Sequence, residues 1–477
     1  MIGYYGSYDV VVCGGGTSGV TAAVAAARTG AKTLLIERTG QLGGQMNYSG
    51  PPGFAYAWMF NSYKEQVVGG FVEETYQKLL KMGHALPHSL PDWRGAYTFS
   101  YIDPDWWGLL VYEILGEAKA EMMLHSLVTD VIKDGNIVKG VVVEHPSGRS
   151  IVMGKVIIDC TGEGEVCYQA GAIYEMQPKD KLEPSTIAFT MDGVDWDKVL
   201  KFIKENPEEF IFEQTSYPMR GFTREQVVET IKNAKSIIEL GEVMGYLSLL
   251  KKGMETGEWH GNSGIGFFFM PKGGRILAHL QHSSHVGNAD ATDVRDLTRI
   301  EVECRRQDVM ACNFFKKYVP GFENAYITRV CSEARIRETR RIMGDYKLTL
   351  EDTVTTLRFP DTIGRSSFVV INRHAVGPSA LVSMNLSGEM GLGSHDIPYR
   401  TMVPLKLENI LVAGKAISTE WECHHRFLLE TMVTGQAAGV AAGLCAQKNI
   451  TPRELEKNVS ELQDVLRKQG VILEGPR

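Results

Sequence analysis

An α/β fold built around a parallel sheet is predicted by three features of the sequence. Near the amino terminus, residues 8–13 form a β-branched apolar run that meets a glycine-rich turn and an alanine-rich stretch. Near the carboxyl terminus, residues 410–413 form another apolar run that ends at a glycine. Short runs that are apolar throughout are typical of strands buried on both faces of a parallel sheet. Between them, residues 185–398 mix strands with amphipathic helices, among them residues 196–204 and 223–241, which predicts an inserted α+β part.

The composition is that of an ordinary globular protein. The chain has 477 residues, of which 44% are hydrophobic and 22% are charged, which predicts two or three domains and excludes a disordered or fibrous protein. The net charge of -7 would repel a phosphate backbone, and we find no basic run, so no nucleic-acid partner is expected. The eight cysteines contain no CxxC pair, which argues against an iron-sulfur cluster, a zinc knuckle and a thioredoxin-type pair.

No signal peptide and no membrane span are predicted. The first seven residues lack a basic region, a twin arginine and a small-residue cleavage site. The apolar stretch at residues 19–36 is interrupted by Arg28, Gly30 and Lys32, so it falls short of the ~20 uninterrupted apolar residues of a spanning helix. We therefore expect a cytoplasmic protein.

The glycine-rich turn has the features of a dinucleotide-binding fingerprint. Residues 14–19 read GGGTSG, which matches GxGxxG, and they lie between a predicted strand and a predicted helix at residues 20–28. The glycines allow a tight turn whose amides approach a pyrophosphate, and the helix N-terminus stabilises its charge. A second strand, residues 33–36, ends at Glu37, which can accept hydrogen bonds from the ribose hydroxyls. Glu37 disfavours a 2'-phosphate, so FAD or NAD is expected rather than NADP.

Three further segments bear on the choice between FAD and NAD. Residues 38–45 (RTGQLGGQ) contain a Gly-Gly loop that can lie flat beside a large ring system. Residues 127–143 predict a hairpin that turns at residues 133–136, and residues 156–159 predict a buried strand that runs into CTGEGE. Residues 434–439 (TGQAAG) belong to a predicted helix of small residues.

With these motifs the chain resembles the FAD-dependent oxidoreductases of the glutathione-reductase-like superfamily, in the branch related to the fumarate reductase flavoproteins. The resemblance extends over nearly the whole chain outside a helical insert near residues 192–262. It implies a Rossmann-type FAD-binding domain in two parts, residues 1–184 and 399–477, with an inserted α+β substrate (cap) domain at residues 185–398. The motifs that carry it are GGGTSG, ERTGQLGG, VIIDCTGEGEV, IRETRRIMGDYKLTLED, NILVAGKAIS and TGQAAG.

The resemblance also implies where FAD binds. The pyrophosphate would lie over residues 14–19, the ribose on Glu37, the adenine near Val128, and the isoalloxazine near Gly414. Relatives with covalent flavin carry a histidine after the Gly-Gly pair, whereas residues 45–49 read QMNYS, so we expect non-covalent FAD. The predicted FAD-binding residues are Gly14, Gly16, Thr17, Ser18, Gly19, Glu37, Arg38, Gly43, Gly44, Gln45, Val128, Thr161, Gly162, Gly414 and Leu429.

Four arginines crowd residues 334–344 (ARIRETRRIMG), a segment expected to lie partly inside the protein. A buried arginine is costly unless it is paired, so two interpretations compete. The arginines form internal ion pairs with Glu338 or Asp345, which we favour, or they form an anion site that faces the substrate. Arg337 is the candidate for a place in the cavity.

Histidines supply the candidate acids and bases. His374 falls where the resembling family places a histidine near the flavin, although Asn372 replaces the usual carboxylate two residues before it. His424 and His425 stand where relatives carry small or aliphatic residues. Each could exchange protons near neutral pH or simply fill the cavity wall. Arg426 aligns with a family arginine that precedes the helix pointing at the flavin pyrimidine edge. The candidate catalytic residues are His374, His425, Arg337 and Arg426.

No metal site is predicted from the HxxHxxH pattern of His279, His282 and His285. On a strand the first and third of these would share one face, the second would oppose them, and no carboxylate stands close enough to complete a ligand set.

We therefore expect an enzyme that transfers a hydride between a small organic substrate, at a C–OH or an activated C–C bond, and flavin N5. Because no second GxGxxG occurs, reoxidation would use oxygen, a quinone or a redox protein. Two alternatives stay open: fumarate-reductase-like reduction of an activated double bond, and an electron-transfer subunit without substrate chemistry, which the scattered cysteines disfavour. A tRNA-modifying flavoprotein would need a basic face. Homo-oligomerisation is left open.

Overall fold

The computed structural model describes residues 2–48, 56–61, 63–88, 100–211, 222–241, 243–260, 265–355, 357–367 and 393–475. The strands are β1 (Gly3–Cys13), β2 (Thr33–Ile36), β3 (Glu121–Met123), β4 (Leu127–Asp134), β5 (Ile137–His145), β6 (Gly148–Asp159), β7 (Tyr174–Glu175), β8 (Phe189–Asp192), β9 (Val243–Gly245), β10 (Ile265–Lys272), β11 (Arg275–Leu280), β12 (Tyr326–Val330), β13 (Arg341–Ile342), β14 (Thr362–Ser366), β15 (His395–Pro398) and β16 (Ile410–Val412). The helices are α1 (Thr17–Arg28), α2 (Gln45–Tyr48), α3 (Phe71–Lys81), α4 (Pro104–Ala118), α5 (Glu165–Gln169), α6 (Trp196–Glu205), α7 (Arg224–Asn233), α8 (Leu247–Thr256), α9 (Val294–Tyr318), α10 (Leu350–Val354), α11 (Leu428–Lys448), α12 (Pro452–Leu455) and α13 (Val459–Lys468).

The larger sheet has seven strands in the order β3-β2-β1-β6-β5-β4, with β16 added to β6. Strands β3, β2, β1, β6 and β16 pair in parallel, whereas β4, β5 and β6 form an antiparallel meander. The parallel register aligns the strand ends at Cys13, Ile36, Asp159 and Val412 along one edge. Ligands of open α/β sheets bind beyond this carboxyl edge. The predicted fold class is confirmed.

Helices α1 and α11 pack closely against each other beside this sheet. A Cβ on Gly435 would lie 2.3 Å from the Ser18 carbonyl oxygen, and one on Gly439 would lie 2.2 Å from the Ala22 carbonyl oxygen. Glycine is required here because the two backbones approach each other so closely. Helix α11 is long and apolar enough to cross a membrane by length and composition, but its apolar window is wholly buried inside the protein. The core helix of a globular protein has the same composition.

The second sheet has five antiparallel strands in the order β12-β8-β11-β10-β9. An aromatic core that includes Phe267, Phe269 and Phe315 joins this sheet to the helices around it. The predicted helix at residues 223–241 is shorter than expected, because α7 ends at Asn233 and Ala234 turns to an extended ψ of 130°. A short 3₁₀ helix, Ile237–Leu240, follows. The strands of the larger sheet lie in residues 1–184 and 399–477, and the strands of the second sheet lie in residues 185–398. The boundaries at residues 184 and 398 stay a prediction.

Of the three histidines in the HxxHxxH pattern, only His279 lies in a strand, β11. Its Nδ1 lies 3.1 Å from the Thr190 hydroxyl oxygen, and Nε2 of His282 lies 3.1 Å from Nε2 of Gln281. Within the described ranges, no group of three or more His, Cys, Asp or Glu side chains could hold a metal ion.

Asp308 of α9 is a buried carboxyl that should make stability depend on pH. It is 4% exposed, and burial raises its pKa to about 8, although Ser284 and Arg305 oppose the shift. In the unfolded chain an aspartate has a pKa of about 3.9. Between about pH 3.9 and about pH 8, the Asp308 carboxyl therefore keeps its proton in the folded protein and releases it on unfolding. The contribution of Asp308 to stability is therefore complete at low pH and is lost as the pH rises through this window.

We expect Asp308→Asn to remove this dependence. As the pH rises from about 5 to 8, the free energy of unfolding of the variant should increase relative to that of the wild type by up to ~1.4 kcal/mol for each pH unit. Thermal unfolding across this range measures the effect, and Asp180→Asn, at an exposed carboxylate, is the matched control. The idea is wrong if Asp308→Asn and the wild type lose stability in parallel.

Candidate active site

A cavity of about 560 Å³ opens at the carboxyl edge of the larger sheet. The glycine turn, the ends of β2 and β6, the turn after β16, residues 332–337 and the start of α11 form its wall. The predicted site residues that line it are Gly14, Gly16, Thr17, Ser18, Glu37, Arg38, Gly44, Gln45, Val128, Thr161, Gly162, Gly414, Arg337 and Arg426. Gly19, Gly43, His425 and Leu429 are each adjacent in sequence to a lining residue but are not lining residues themselves. His374 lies outside the described residues.

The glycine turn between β1 and α1 is held by close backbone contacts. Gly14 has a φ of +99°, and a Cβ there would lie 2.5 Å from the Cys160 carbonyl oxygen. A Cβ on Gly19 would lie 1.7 Å from the Gly14 carbonyl oxygen. At Gly16, by contrast, the nearest atom to such a Cβ is Gly44 Cα at 4.0 Å. Gly14 and Gly19 therefore allow the close backbone contacts within the turn. The backbone at Gly16 borders open space, as binding of a pyrophosphate requires.

Glu37 lies directly after β2 and is held in place by the turn. Its Oε2 accepts a hydrogen bond from the Gly15 N–H at 2.7 Å, and its Oε1 accepts one from the Thr39 N–H at 2.9 Å. The side chain is only 6% exposed, yet it borders the cavity. A carboxylate fixed in this way is placed to accept further hydrogen bonds from ribose hydroxyls.

We expect Glu37→Ala to weaken FAD binding by about tenfold or more. Charge-assisted hydrogen bonds worth roughly 1.5 to 3 kcal/mol are lost, together with the anchor of the Gly15 amide. Fluorescence titration of the flavin-free protein with FAD gives the dissociation constant. The FAD affinity of Glu37→Gln, which keeps one oxygen acceptor, should lie between that of Glu37→Ala and that of the wild type. An unchanged dissociation constant in Glu37→Ala would remove this residue from the site.

Arg38 takes part in an ion pair that the sequence did not reveal. Its Nη2 lies 2.5 Å from Oε2 of Glu333, which follows β12. The pair joins the end of β2 to the segment after the second sheet, beside the Ser126–Val128 part of the cavity wall. Because 295 residues separate the two partners, no local pattern in the sequence indicates this contact.

A second ion pair crosses the cavity wall between the turns after β6 and β16. Lys415 Nζ lies 2.6 Å from Oε1 of Glu163, and the Thr339 hydroxyl donates to the other carboxylate oxygen. Both charged side chains line the cavity. Glu163 directly follows Gly162 at the end of β6, and Lys415 directly follows Gly414 at the end of β16. The repeated pattern of a strand, a glycine and a charged residue is the sequence signal that could have identified both side chains.

The arginine cluster divides between internal pairing and the cavity. Nη1 of Arg341 lies 2.6 Å from Oε1 of Glu338, and both side chains are almost wholly buried. This is one of the internal pairs that the sequence suggested, whereas Asp345 pairs with Arg453 instead. Arg337 lines the cavity and donates hydrogen bonds to the Pro184 carbonyl and, at 3.2 Å, to the Thr186 hydroxyl.

Arg426 reaches the cavity already paired with a carboxylate. Its Nε lies 2.6 Å from Oε2 of Glu183, and its Nη2 donates to Oε1 at 3.0 Å. The side chain of Arg426 is 4% exposed and that of Glu183 is 9% exposed. This two-point contact fixes the guanidinium plane and compensates its charge.

The neighbouring histidines are engaged inside the protein. Nε2 of His424 donates to the Lys415 carbonyl at 3.0 Å. Nδ1 of His425 lies 2.8 Å from the Cys423 carbonyl oxygen, and its Nε2 lies 2.9 Å from Nε2 of His395, a residue that sequence reasoning missed. Burial holds the pKa of both His395 and His424 well below the usual value. The catalytic role of His425 stays a prediction.

A parallel sheet whose carboxyl edge carries a glycine turn, a buried glutamate and a cavity is typical of a dinucleotide-binding protein. Residues 9–466 match the family described as FAD dependent oxidoreductase, and the chain belongs to this family. The protein is an oxidoreductase and its cofactor is FAD, as predicted. The branch related to the fumarate reductases stays a prediction.

Two curated relatives match part of the chain. A digeranylgeranylglycerophospholipid reductase from Picrophilus torridus is 28% identical over 202 residues, which are 40% of this chain and 48% of that protein. Digeranylgeranylglycerophospholipid reductase 1 from Methanococcoides burtonii is 26% identical over 192 residues, 40% of this chain and 46% of that protein. The chain thus spans about half the length of the curated relatives it matches.

Solved structures of similar chains include a geranylgeranyl bacteriochlorophyll reductase-like protein from Thermoplasma acidophilum. It has a TM-score of 0.47 and 13% identity, over 97% of this chain and 84% of that chain. The p-nitrophenol 4-monooxygenase PnpA from Pseudomonas putida has a TM-score of 0.45 and 11% identity, over 99% of this chain and 90% of that chain.

Proposed function

We propose that the protein oxidises a small organic substrate at a C–OH or an activated C–C bond. The observation that carries this proposal is the extent of the cavity, which continues from the dinucleotide-binding residues to Arg337 and Arg426. A bound FAD supplies the redox chemistry by accepting a hydride from the substrate. The protein must then orient the substrate, stabilise the charge that develops on it and take up the proton that the hydride leaves behind.

The two arginines suit different parts of this task. Arg337 lines the cavity, so its guanidinium brings positive charge to the cavity wall. That charge favours a substrate that carries a carboxylate or develops negative charge on oxygen. The charge of Arg426 is compensated by Glu183, so Arg426 serves better as a fixed hydrogen-bond donor.

The opposite direction, reduction of an activated double bond, is the second candidate function. Both curated relatives named above are reductases. The same cavity residues would then orient an unsaturated substrate and deliver a proton to it.

An anaerobic substrate screen tests the proposal. We expect bleaching of the oxidised flavin on addition of a hydroxy acid, an alcohol or a saturated compound with an activated C–C bond. In Arg337→Gln an anionic substrate should reduce the flavin with a higher apparent dissociation constant. Reoxidation of a dithionite-reduced sample by an activated alkene would instead support the second candidate. A flavin that none of the screened compounds reduces or reoxidises would contradict the proposal and favour the electron-transfer alternative.

A further inference from the structure

Glu165 places a carboxylate in the cavity wall, close to the glycine turn. It is the first residue of α5, and its exposed side chain lines the cavity. The Glu165 N–H donates to the Thr161 hydroxyl at 2.9 Å. A Cβ on Gly14 would lie 3.0 Å from Thr161 Cα, so the backbone of Glu165 is close to the turn over which the pyrophosphate of FAD would lie.

Two ion pairs engage the cations on the cavity side of Glu165. Nη2 of Arg38 lies 2.5 Å from Oε2 of Glu333, and Nζ of Lys415 lies 2.6 Å from Oε1 of Glu163. The carboxylate of Glu165 itself makes neither a hydrogen bond nor an ion pair with the part of the chain that the structure describes. Glu165 therefore has no cation in contact with it that would compensate a negative charge.

The cations around α5 are engaged as well. The guanidinium carbon of Arg340 lies 4.1 Å from the centre of the Tyr168 ring. Lys133 of β4, a strand that packs against α5, donates to the Ala170 carbonyl at 2.7 Å, at the end of the helix remote from Glu165. These contacts hold both cations away from the Glu165 carboxylate.

Negative charge lies close to Glu165. Burial by the surrounding wall is the largest cause that raises the pKa of this carboxyl, followed by the Glu163 and Asp159 carboxylates. Arg38 and Arg340 oppose the rise, and the resulting pKa is about 7. Near neutral pH the carboxyl of Glu165 is therefore protonated in part of the molecules and ionised in the rest.

We propose that Glu165 takes up a proton when FAD binds, so that FAD binds more tightly as the pH falls. The pyrophosphate of FAD carries two negative charges, and like charges close together disfavour the ionised form of a carboxyl group. The protonated carboxyl is neutral and lacks this repulsion. Bound FAD therefore keeps Glu165 protonated up to a higher pH than in the flavin-free protein. The full affinity is present below about pH 6 and is lost as the pH rises through about 7.

The dependence of FAD affinity on pH tests the proposal. We expect the dissociation constant of the wild type, from fluorescence titration of the flavin-free protein, to rise about fivefold or more between about pH 6 and about pH 8.5. Glu165→Gln has no carboxyl to ionise, so its dissociation constant should change little with pH. At about pH 8.5 this variant should bind FAD more tightly than the wild type. Glu205→Gln, which removes an exposed charge of α6 outside the cavity, should keep the wild-type dependence.

A second variant should move the pH at which affinity is lost. Glu163→Gln removes one of the carboxylates that raise the pKa of Glu165 and releases Lys415 from its ion pair. Both changes favour the ionised form of Glu165, so the loss of FAD affinity should begin at a lower pH than in the wild type. A midpoint that stays in place would show that another group titrates, and the proposal would fall.

Calorimetry measures the proton uptake on the unmodified protein and does not depend on the folding of a variant. Titration with FAD at about pH 7.5, in buffers of different ionisation enthalpy, should show uptake of about half a proton for each FAD bound. The absence of uptake by the wild type would overturn the proposal, as would a pH dependence that persists in Glu165→Gln. Weaker binding by Glu165→Gln at every pH would also overturn it, because the carboxylate would then act as an acceptor of hydrogen bonds from FAD.

Discussion

Replacing Arg426 by methionine is expected to destabilise the protein by about 3–5 kcal/mol, because it removes the guanidinium that compensates the charge of the buried Glu183 carboxylate. The two side chains make a two-point contact at 2.6 and 3.0 Å and are almost fully buried. Glu183 also lies beside Glu338, whose Oε2 accepts a hydrogen bond from the Glu183 N–H at 3.2 Å. Burial and then Glu183 raise the pKa of Glu338. Without Arg426, the Glu183 carboxylate would lose this two-point contact while it remains beside Glu338.

A double variant separates this electrostatic cause from lost packing. Glu183→Gln with Arg426→Met removes both charges, so it should recover most of the stability that Arg426→Met alone loses. Thermal and chemical unfolding of the flavin-free proteins measure both effects and avoid any contribution of bound FAD. A loss of less than about 1 kcal/mol in Arg426→Met would mean that the pair behaves like an exposed one, and would contradict its assignment as a buried anchor of the cavity.

Gly19→Ala is expected to abolish FAD binding in the micromolar range. The new Cβ would lie 1.7 Å from the Gly14 carbonyl oxygen, so the backbone of the turn must move. The amides that face the pyrophosphate would move with it. Titration of the flavin-free variant with FAD measures the affinity, and its unfolding temperature should fall as well.

Two other glycines provide controls for Gly19→Ala. A Cβ on Gly116 of α4 would meet nothing within 4 Å, so Gly116→Ala should leave FAD affinity unchanged. At Gly16 the nearest atom to the new Cβ is 4.0 Å away, so Gly16→Ala should fold normally but weaken FAD binding by intruding on the cavity. Normal FAD affinity in both Gly19→Ala and Gly16→Ala would place the pyrophosphate elsewhere.

The nucleotide-binding half of the site could be predicted because its determinants are local. The strand, the glycine turn, the helix and the acidic strand end occupy residues 8–37, and each has a pattern tied to backbone geometry. Even there the sequence underestimated β1, which begins at Gly3 and not at Tyr8. Its first residues are exposed, so they lack the apolar pattern that indicates a buried strand.

The part of the cavity around Arg337 and Arg426 could not be predicted as well, because its contacts depend on tertiary structure. Arg426 pairs with Glu183, which lies 243 residues away in the chain. The nucleotide-binding part has one such contact as well, since Arg38 pairs with Glu333, 295 residues away. His425 stood out in the sequence, but its partner His395 did not, since nothing local to residues 393–398 indicates a paired imidazole. Burial then sets the protonation of such groups, and burial is a property of the whole fold.

The state of the flavin in the purified protein tests the central claim most directly. We expect a yellow protein that releases one FAD per chain into the supernatant after acid or heat precipitation, leaving a colourless polypeptide. The reason is that residues 45–49, which directly follow Gly44, contain no histidine. Flavin that stays on the denatured polypeptide, or a folded protein that takes up no FAD when supplied with it, would contradict the account.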